Sequence, residues 1–254
     1  MKAIYLIFLL NYFSATTTNP AFTPNTRPFS IQLSEAALAI INPNIKYDPT
    51  YCSIKYPNGD VPKNKGVCTD VVIRAYRKLN IDLQKEVHED MKANFSKYPN
   101  LKKWGMKKTD TNIDHRRVPN LEVFFERKGK KLSVTDSAKD YKTGDIVTWM
   151  IDGKLPHIGI VTHKKTSDGL RPLIVHNVGY GQVLEDCLFK YKIVGHFQYT
   201  STISFLAQVE QWSITVRCLA SVADNVNVNR INKHQITSEF SAEKLNGNSA
   251  KQLL

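Results

Sequence analysis

Between residues 144 and 199 of this 254-residue chain the apolar residues recur at every second position in four short runs. These are "GDIVTWMI" (144–151), "HIGIVTH" (157–163), "PLIVHNVG" (172–179) and "YKIVGHFQY" (191–199). A two-residue period places alternate side chains on opposite faces of a strand, so each run reads as one strand. The turn-rich links between them are shorter than a parallel crossover needs, which predicts an antiparallel sheet.

The period is different upstream. In "KNKGVCTDVVIRAYRKLN" (63–80), Val67, Val71, Ala75 and Leu79 follow helical spacing, and Val72 and Tyr76 widen the face. Cys68 falls in the first turn of that helix, and Asp70 and Arg74 are spaced to pair on its other side. A helix ahead of a strand meander predicts an α+β domain, with the Cys-bearing helix packed on the antiparallel sheet. A further short helix is expected around "NLEVFFERKG", and one in "SEAALAIIN" with Ser34 as its N-cap. The rest of residues 85–140 reads as irregular.

Residues 1–19 carry a lysine, an apolar stretch and then small and polar residues, the layout of a secretory signal too short to span a membrane. Residues 20–33 read as a linker, 34–199 as the domain, and 200–254 as a Ser-, Asn- and Gln-rich tail expected to be largely disordered. The expected location is therefore secreted or periplasmic, with no stable membrane insertion. The formal net charge of +12 favours anionic partners. There is no nucleic-acid-binding motif or aromatic stacking stripe to specify nucleic acid. Four cysteines are too few for a disulfide scaffold and lack paired zinc spacing, although Cys52 and Cys187 leave one bridge open.

A cysteine nucleophile needs a lowered thiol pKa and an imidazole oriented by a third polar group. The first turn of a helix is expected to lower the Cys68 pKa. His157 opens one strand and His176 closes the next, so a hairpin would set them side by side. Gly159, on the face of His157, would let the helix N-terminus approach closely. The same three side chains could alternatively hold a metal with one open position. His163, at the far end of its strand, makes a poor fourth ligand. "DTNIDHRRVPN" (110–120) places His115, Arg116 and Arg117 in succession. These form either a cradle for substrate carboxylates or an ion-paired corner, for which Glu89 and Asp90 are available partners.

A helix-borne Cys, then "HIGIV", then a hairpin returning to "IVH" resembles the NlpC/p60 superfamily of papain-like cysteine hydrolases. A closer resemblance is to domain of unknown function family 1287, placed near that superfamily. Its pieces occur in order over about residues 46–199: "YDPTY", "YPNGDVP", "GVCTDVVIRAYR", "IDLQ", "VHEDM", "NIDHRRVPNLEVFF", "GDIVTW", "HIGIV", "IVHNVG" and "GHFQY". The resemblance implies a papain-like fold and a Cys68–His157–His176 triad. It also implies an oxyanion role for Tyr56, twelve residues before the nucleophile. The chain departs from the NlpC/p60 pattern in having Val67 where Asp commonly precedes the nucleophile, and in a longer hairpin between the histidines.

The expectation is an exported, monomeric cysteine peptidase or amidase, needing no cofactor or metal. It would act on peptidoglycan or another peptide or amide substrate. Cys68, His157 and His176 are catalytic; Tyr56, Asp70, His115, Arg116, Arg117 and Asn177 surround the substrate. A non-catalytic wall- or partner-binding module on the same fold and a zinc-dependent hydrolase are the alternatives.

Overall fold

The computed structural model describes residues 27–201. The stretch read as a secretory signal (1–19), most of that read as a linker (20–26) and the tail from 202 onward lie outside the described residues, as does Cys218.

Six strands form one sheet in the order β3-β8-β4-β5-β6-β7, with every neighbouring pair antiparallel. The four predicted runs supply its centre: β4 (Ile146–Ile151), β5 (Leu155–Lys165), β6 (Pro172–His176) and β8 (Lys192–Gln198). The edges are the short strands β3 (Lys130–Lys131) and β7 (Val183–Glu185). A separate two-stranded parallel ladder joins β1 (Lys46–Tyr47) to β2 (Lys65–Gly66), just ahead of the Cys-bearing helix.

That helix, α2, spans Cys68–Arg77, and its apolar stripe is buried: Val71, Val72, Ala75 and Tyr76 are shut from solvent. They pack against the sheet face that carries Ile146, Ile158, Ile160 and Val175. α1 (Phe29–Leu38), α3 (Leu83–Ala93) and α5 (Val118–Lys128) complete this layer through Leu33, Val87, Met91, Leu121, Phe124 and Phe125. The opposite face holds a smaller cluster with Tyr141, Val147, Trp149, Val161, Ile174 and Leu188. The molecule is thus a mixed α/β domain with its helices gathered on one side of an antiparallel sheet, and its core sits between them.

Three local expectations are corrected. α1 begins at Phe29, inside the stretch read as linker, so Ser34 is not its N-cap. Mid-helix, the Ser34 hydroxyl instead accepts the His163 N–H at 2.9 Å and meets His163 Nδ1 at 2.9 Å, tying α1 to β5. Asp70 does not pair with Arg74. The Arg74 guanidinium goes to Asp60, and Asp70 turns inward to Arg116. Residues 85–140 are more regular than expected, holding α3, the short α4 (Asn100–Trp104) and a 3-10 turn at Asp114–Arg116. α3 starts where the Asp82 side chain accepts the Gln84 N–H, an N-cap bond that satisfies a helix-end donor.

Candidate functional site

Cys68 is the first residue of α2, and its side chain is only 4% exposed. The first turn is closed by the Asp70 carboxylate, which reaches back to the Val67 N–H at 2.7 Å. Val67 has no side-chain acceptor of its own, so Asp70 supplies the side-chain bond of the cap. The sulfur sits where two elements end. Val161 exchanges backbone hydrogen bonds on the β4 side, so by alternation Ile158 presents its N–H towards β6. Ile160 opposes Val175 and β6 stops at His176, so the β6 strand ends before reaching Ile158. The Ile158 N–H goes to the Cys68 sulfur instead, joined by the N–H groups of Thr69 and Cys68 itself.

Those three donors favour a thiolate, but burial outweighs them. Burial pushes the Cys68 thiol up to about 12, with the nearby Asp70 charge adding to the rise. This overturns the expectation that the helix terminus would leave a low-pKa thiol. A terminus lowers a pKa only where the site admits enough solvent or countercharge to support the anion.

His157 follows Pro156 on β5 and pairs across the ladder with Trp149, their rings 5.7 Å apart. Its Nε2 meets His176 Nδ1 at 2.9 Å, so the hairpin brings the two histidines together. Gly159 serves this contact and not the helix. A Cβ there would fall 2.7 Å from Ile174 Cγ2 and 3.2 Å from His176 Cβ, so the bare backbone makes room for β6. Burial, and then the neighbouring His176, hold the His157 pKa down at about 3. Burial also lowers that of His176, against the pull of Glu185. Both imidazoles are therefore neutral at pH 7. They occupy the Trp149 face of the sheet, and Cys68 lies at the free edge of β5 beside the next residue, Ile158.

His176 continues the chain outward: its Nε2 lies 3.0 Å from Glu185 Oε2, and Glu185 Oε1 lies 2.7 Å from Lys190 Nζ. Glu185 escaped the sequence reading because β7 is three residues long. The signal available was a "VLE" run that can pair with "IVH".

The remaining expected residues divide. Asp70 and Arg116 form an enclosed bidentate pair at 2.9 and 3.0 Å, their side chains 3% and 2% exposed. Arg116 is thereby held above its ordinary pKa by Asp70, although burial opposes this. The ion-paired corner is thus real, but its partners are Asp70 for Arg116 and Asp114, at 3.6 Å, for Arg117. Glu89 pairs with Lys85, and Asp90 with Arg127 and Lys128. Asn177 ties the end of β6 to the approach of α2 through Nδ2 and the Gly66 carbonyl, 3.3 Å apart. His115 is buried, its pKa pushed down by burial to about 3, and its Nδ1 has no hydrogen-bond partner among the described residues.

A cleft of about 200 Å³ opens at Cys68, walled by Tyr47, Val67, Trp104, Arg116, Arg117 and Pro156. Arg117 lies over the Trp104 ring at 4.1 Å, and Arg116 Nη1 is a buried donor without a hydrogen-bond partner among the described residues. Tyr56 is not part of this wall; its ring packs edge-on against His88 at 5.1 Å. Tyr47 stands in the wall instead, its hydroxyl raised to about 12 by burial and by the neighbouring Cys68 and Asp70.

The two histidine nitrogens that would converge on an ion are hydrogen-bonded to each other, and no group of three His, Cys, Asp or Glu among the described residues is arranged to hold a metal. Cys52, Cys68 and Cys187 are free thiols, so Cys52 and Cys187 do not pair. No helix among the described residues is long and apolar enough to cross a membrane.

A family model described as Domain of unknown function (DUF1287) matches residues 34–199, a span that contains Cys68, both histidines, Glu185 and the cleft. The chain is also similar to the Uncharacterized protein YijF of Escherichia coli (strain K12). The two are 45% identical over 199 residues, covering 75% of this chain and 96% of the relative.

Proposed function

The chain belongs to the DUF1287 family, whose description assigns no reaction, and from the geometry of the site we propose that it is a cysteine hydrolase cleaving an amide bond in a peptide. In this reading the fold is of the papain-like NlpC/p60 type. The observation that carries it is the hydrogen-bonded line His157–His176–Glu185, which starts on β5 one residue before Ile158, the residue whose N–H faces the Cys68 sulfur. A core histidine is satisfied by one or two bonds. An imidazole held by a second polar side chain, as His176 holds His157, is the arrangement that general-base catalysis uses.

Both partners start neutral, so the nucleophile forms during attack. The Cys68 S–H proton passes to His157 Nδ1 as the sulfur bonds to the substrate carbonyl carbon. The developing oxyanion takes the Cys68 N–H and the Tyr47 hydroxyl as donors. Collapse breaks the C–N bond, and the amine leaves with the proton from His157. Water then attacks the thioester, giving its proton to His157, and the acid departs as thiol is restored.

The substrate reading follows from the cleft. Its walls are apolar and aromatic, but Arg117, over Trp104 and 3.6 Å from Asp114, and Arg116 Nη1, without a hydrogen-bond partner among the described residues, bring positive charge to an anion there. A peptide bearing a free carboxylate next to the scissile bond fits these features. Peptidoglycan stem peptides are of this class, and an exported monomer with an excess of basic residues suits an anionic wall. Mass spectrometry of fragments released from purified peptidoglycan tests the proposal. Cys68→Ala is expected to lower release at least about 1,000-fold. Full activity in that variant would end the hydrolase reading.

One observation favours a second reading, a non-catalytic binding module: the thiol is buried and its pKa is raised. Such a module would release nothing, and its affinity for carboxylate-bearing peptides would be unchanged by Cys68→Ala.

A further inference from the structure

The sheet adds to the histidine pair a carboxylate that the proposed reaction does not by itself require. Glu185 closes β7, where His176 opposes Val183 and Ile174 opposes Glu185. Glu185 and His176 are therefore diagonal neighbours on one face, within reach of long side chains. Glu185 Oε2 lies 3.0 Å from His176 Nε2, and its other oxygen is engaged by Lys190 at 2.7 Å.

This end of the line fixes the protons along the rest of it. An ionised carboxylate accepts hydrogen bonds and donates none, so the proton between Glu185 and His176 resides on His176 Nε2. Lys190 holds the Glu185 carboxyl below its ordinary range, which keeps that acceptor charged at neutral pH. A neutral imidazole carries one N–H, so His176 Nδ1 is a lone pair. The 2.9 Å contact then requires His157 to donate from Nε2. By the same count, His157 Nδ1 is left unprotonated. With a donor in the place of Glu185 the order of protons reverses. His176 would then carry its proton on Nδ1, and His157 Nδ1 would hold a proton and could not act as a base.

We propose that Glu185, anchored by Lys190, is a positioning residue that acts through His176 to hold His157 in the Nε2–H tautomer, with its Nδ1 lone pair free to take the Cys68 proton. The purpose of this arrangement rests on the hydrolase reading, but the tautomer is a property of the protein alone and can be measured without substrate.

The experiment is 15N–1H correlation spectroscopy of the imidazole rings in the full-length chain labelled at histidine. His157 and His176 are assigned by loss of their signals in single His→Gln variants. At pH 7 both rings are expected to be neutral with the proton on Nε2. In Glu185→Ala a Nδ1–H form of His157 is expected to appear. Peptide hydrolysis should fall about 100-fold in kcat with KM changed less than about twofold, and Glu185→Asp should recover part of it. Lys190→Met should move the acid limb of the kcat profile to higher pH, because Glu185 then protonates more readily. A wild-type spectrum with His157 protonated on Nδ1 overturns the proposal, even if no variant folds. So does a Glu185→Ala protein with unchanged tautomers and kcat. The expected tautomers in a protein that hydrolyses nothing would remove the hydrolase reading while supporting the role of Glu185.

Discussion

Replacing Asp70 with asparagine would leave the Arg116 guanidinium buried beside a neutral side chain. In the native protein Asp70 takes two bonds from Arg116, at 2.9 and 3.0 Å, and a third from the Val67 N–H at 2.7 Å. The amide keeps the volume and one carbonyl oxygen, so the loss is mainly electrostatic. Removing one partner of a buried pair costs about 3–5 kcal/mol, because the remaining charge has no counter-ion. Since the retained oxygen can still serve one N–H, we expect about 3 kcal/mol. That is a large share of the roughly 5–15 kcal/mol by which domains are stable. Urea unfolding followed by far-ultraviolet circular dichroism measures it as a shift in midpoint at constant m. The control is the pair Asp70→Asn with Arg116→Met, which removes both charges. It should be more stable than Asp70→Asn alone by at least about 1 kcal/mol. A loss under about 1 kcal/mol for Asp70→Asn, or a double variant as unstable as the sum of the singles, would show that the stranded Arg116 charge is not the source of the cost. The folded variant offers a second readout: Asp70 contributes to the raised Cys68 pKa, so its neutralisation should speed alkylation of Cys68 at a fixed pH.

Three further outcomes follow from the same structure. His115 and His157 are held near pKa 3 by burial against 6.5 unfolded, so the unfolded chain binds more protons between those values and stability falls as pH drops through that window. At pH 5 the penalty is about 2 kcal/mol per histidine, absent above pH 7, and His115→Asn should remove its share in thermal melts at pH 5 and 7. Gly159→Ala places a methyl 2.7 Å from Ile174 Cγ2 and should cost about 1–3 kcal/mol in urea unfolding; a neutral substitution would show that β6 can shift away. Tyr47→Phe should lower kcat about tenfold or more with little change in KM if its hydroxyl serves the oxyanion, whereas Tyr56→Phe should change neither.

The sheet was legible because β4, β5, β6 and β8 each carry a two-residue period strong enough to identify the strand. α2 was legible for the same reason, at helical spacing. α3 was harder. Leu83, Val87 and Met91 recur every fourth residue, but His88, Glu89 and Asp90 crowd the turns between them, and the narrow apolar stripe is easily read as loop. α1 was misplaced because Ser34 looks like a cap from sequence. Its hydroxyl is in fact committed to His163, a partner 129 residues away that no local pattern announces.

At the site, period alone brought His157 and His176 together, since two strand ends joined by a hairpin must meet at one level. What period cannot express is depth. The pKa of Cys68 depends on how much solvent reaches the α2 terminus, and that is decided by Trp104, Tyr47 and the 110–117 corner folding over it. The identity of the Arg116 partner is likewise a tertiary fact: Asp70 looked free to pair with Arg74 four residues on, until Asp60 took that guanidinium and left Asp70 facing inward. Glu185 lies between these cases. A three-residue strand is too short to identify by period, but once β6 is known to end at His176 the next residues that can pair with it are "VLE". Their register then places the carboxylate diagonal to the imidazole. The proton positions on His157 were thus implicit in the pairing of β6 with β7, and become explicit only when the acceptor at the end of the line is identified.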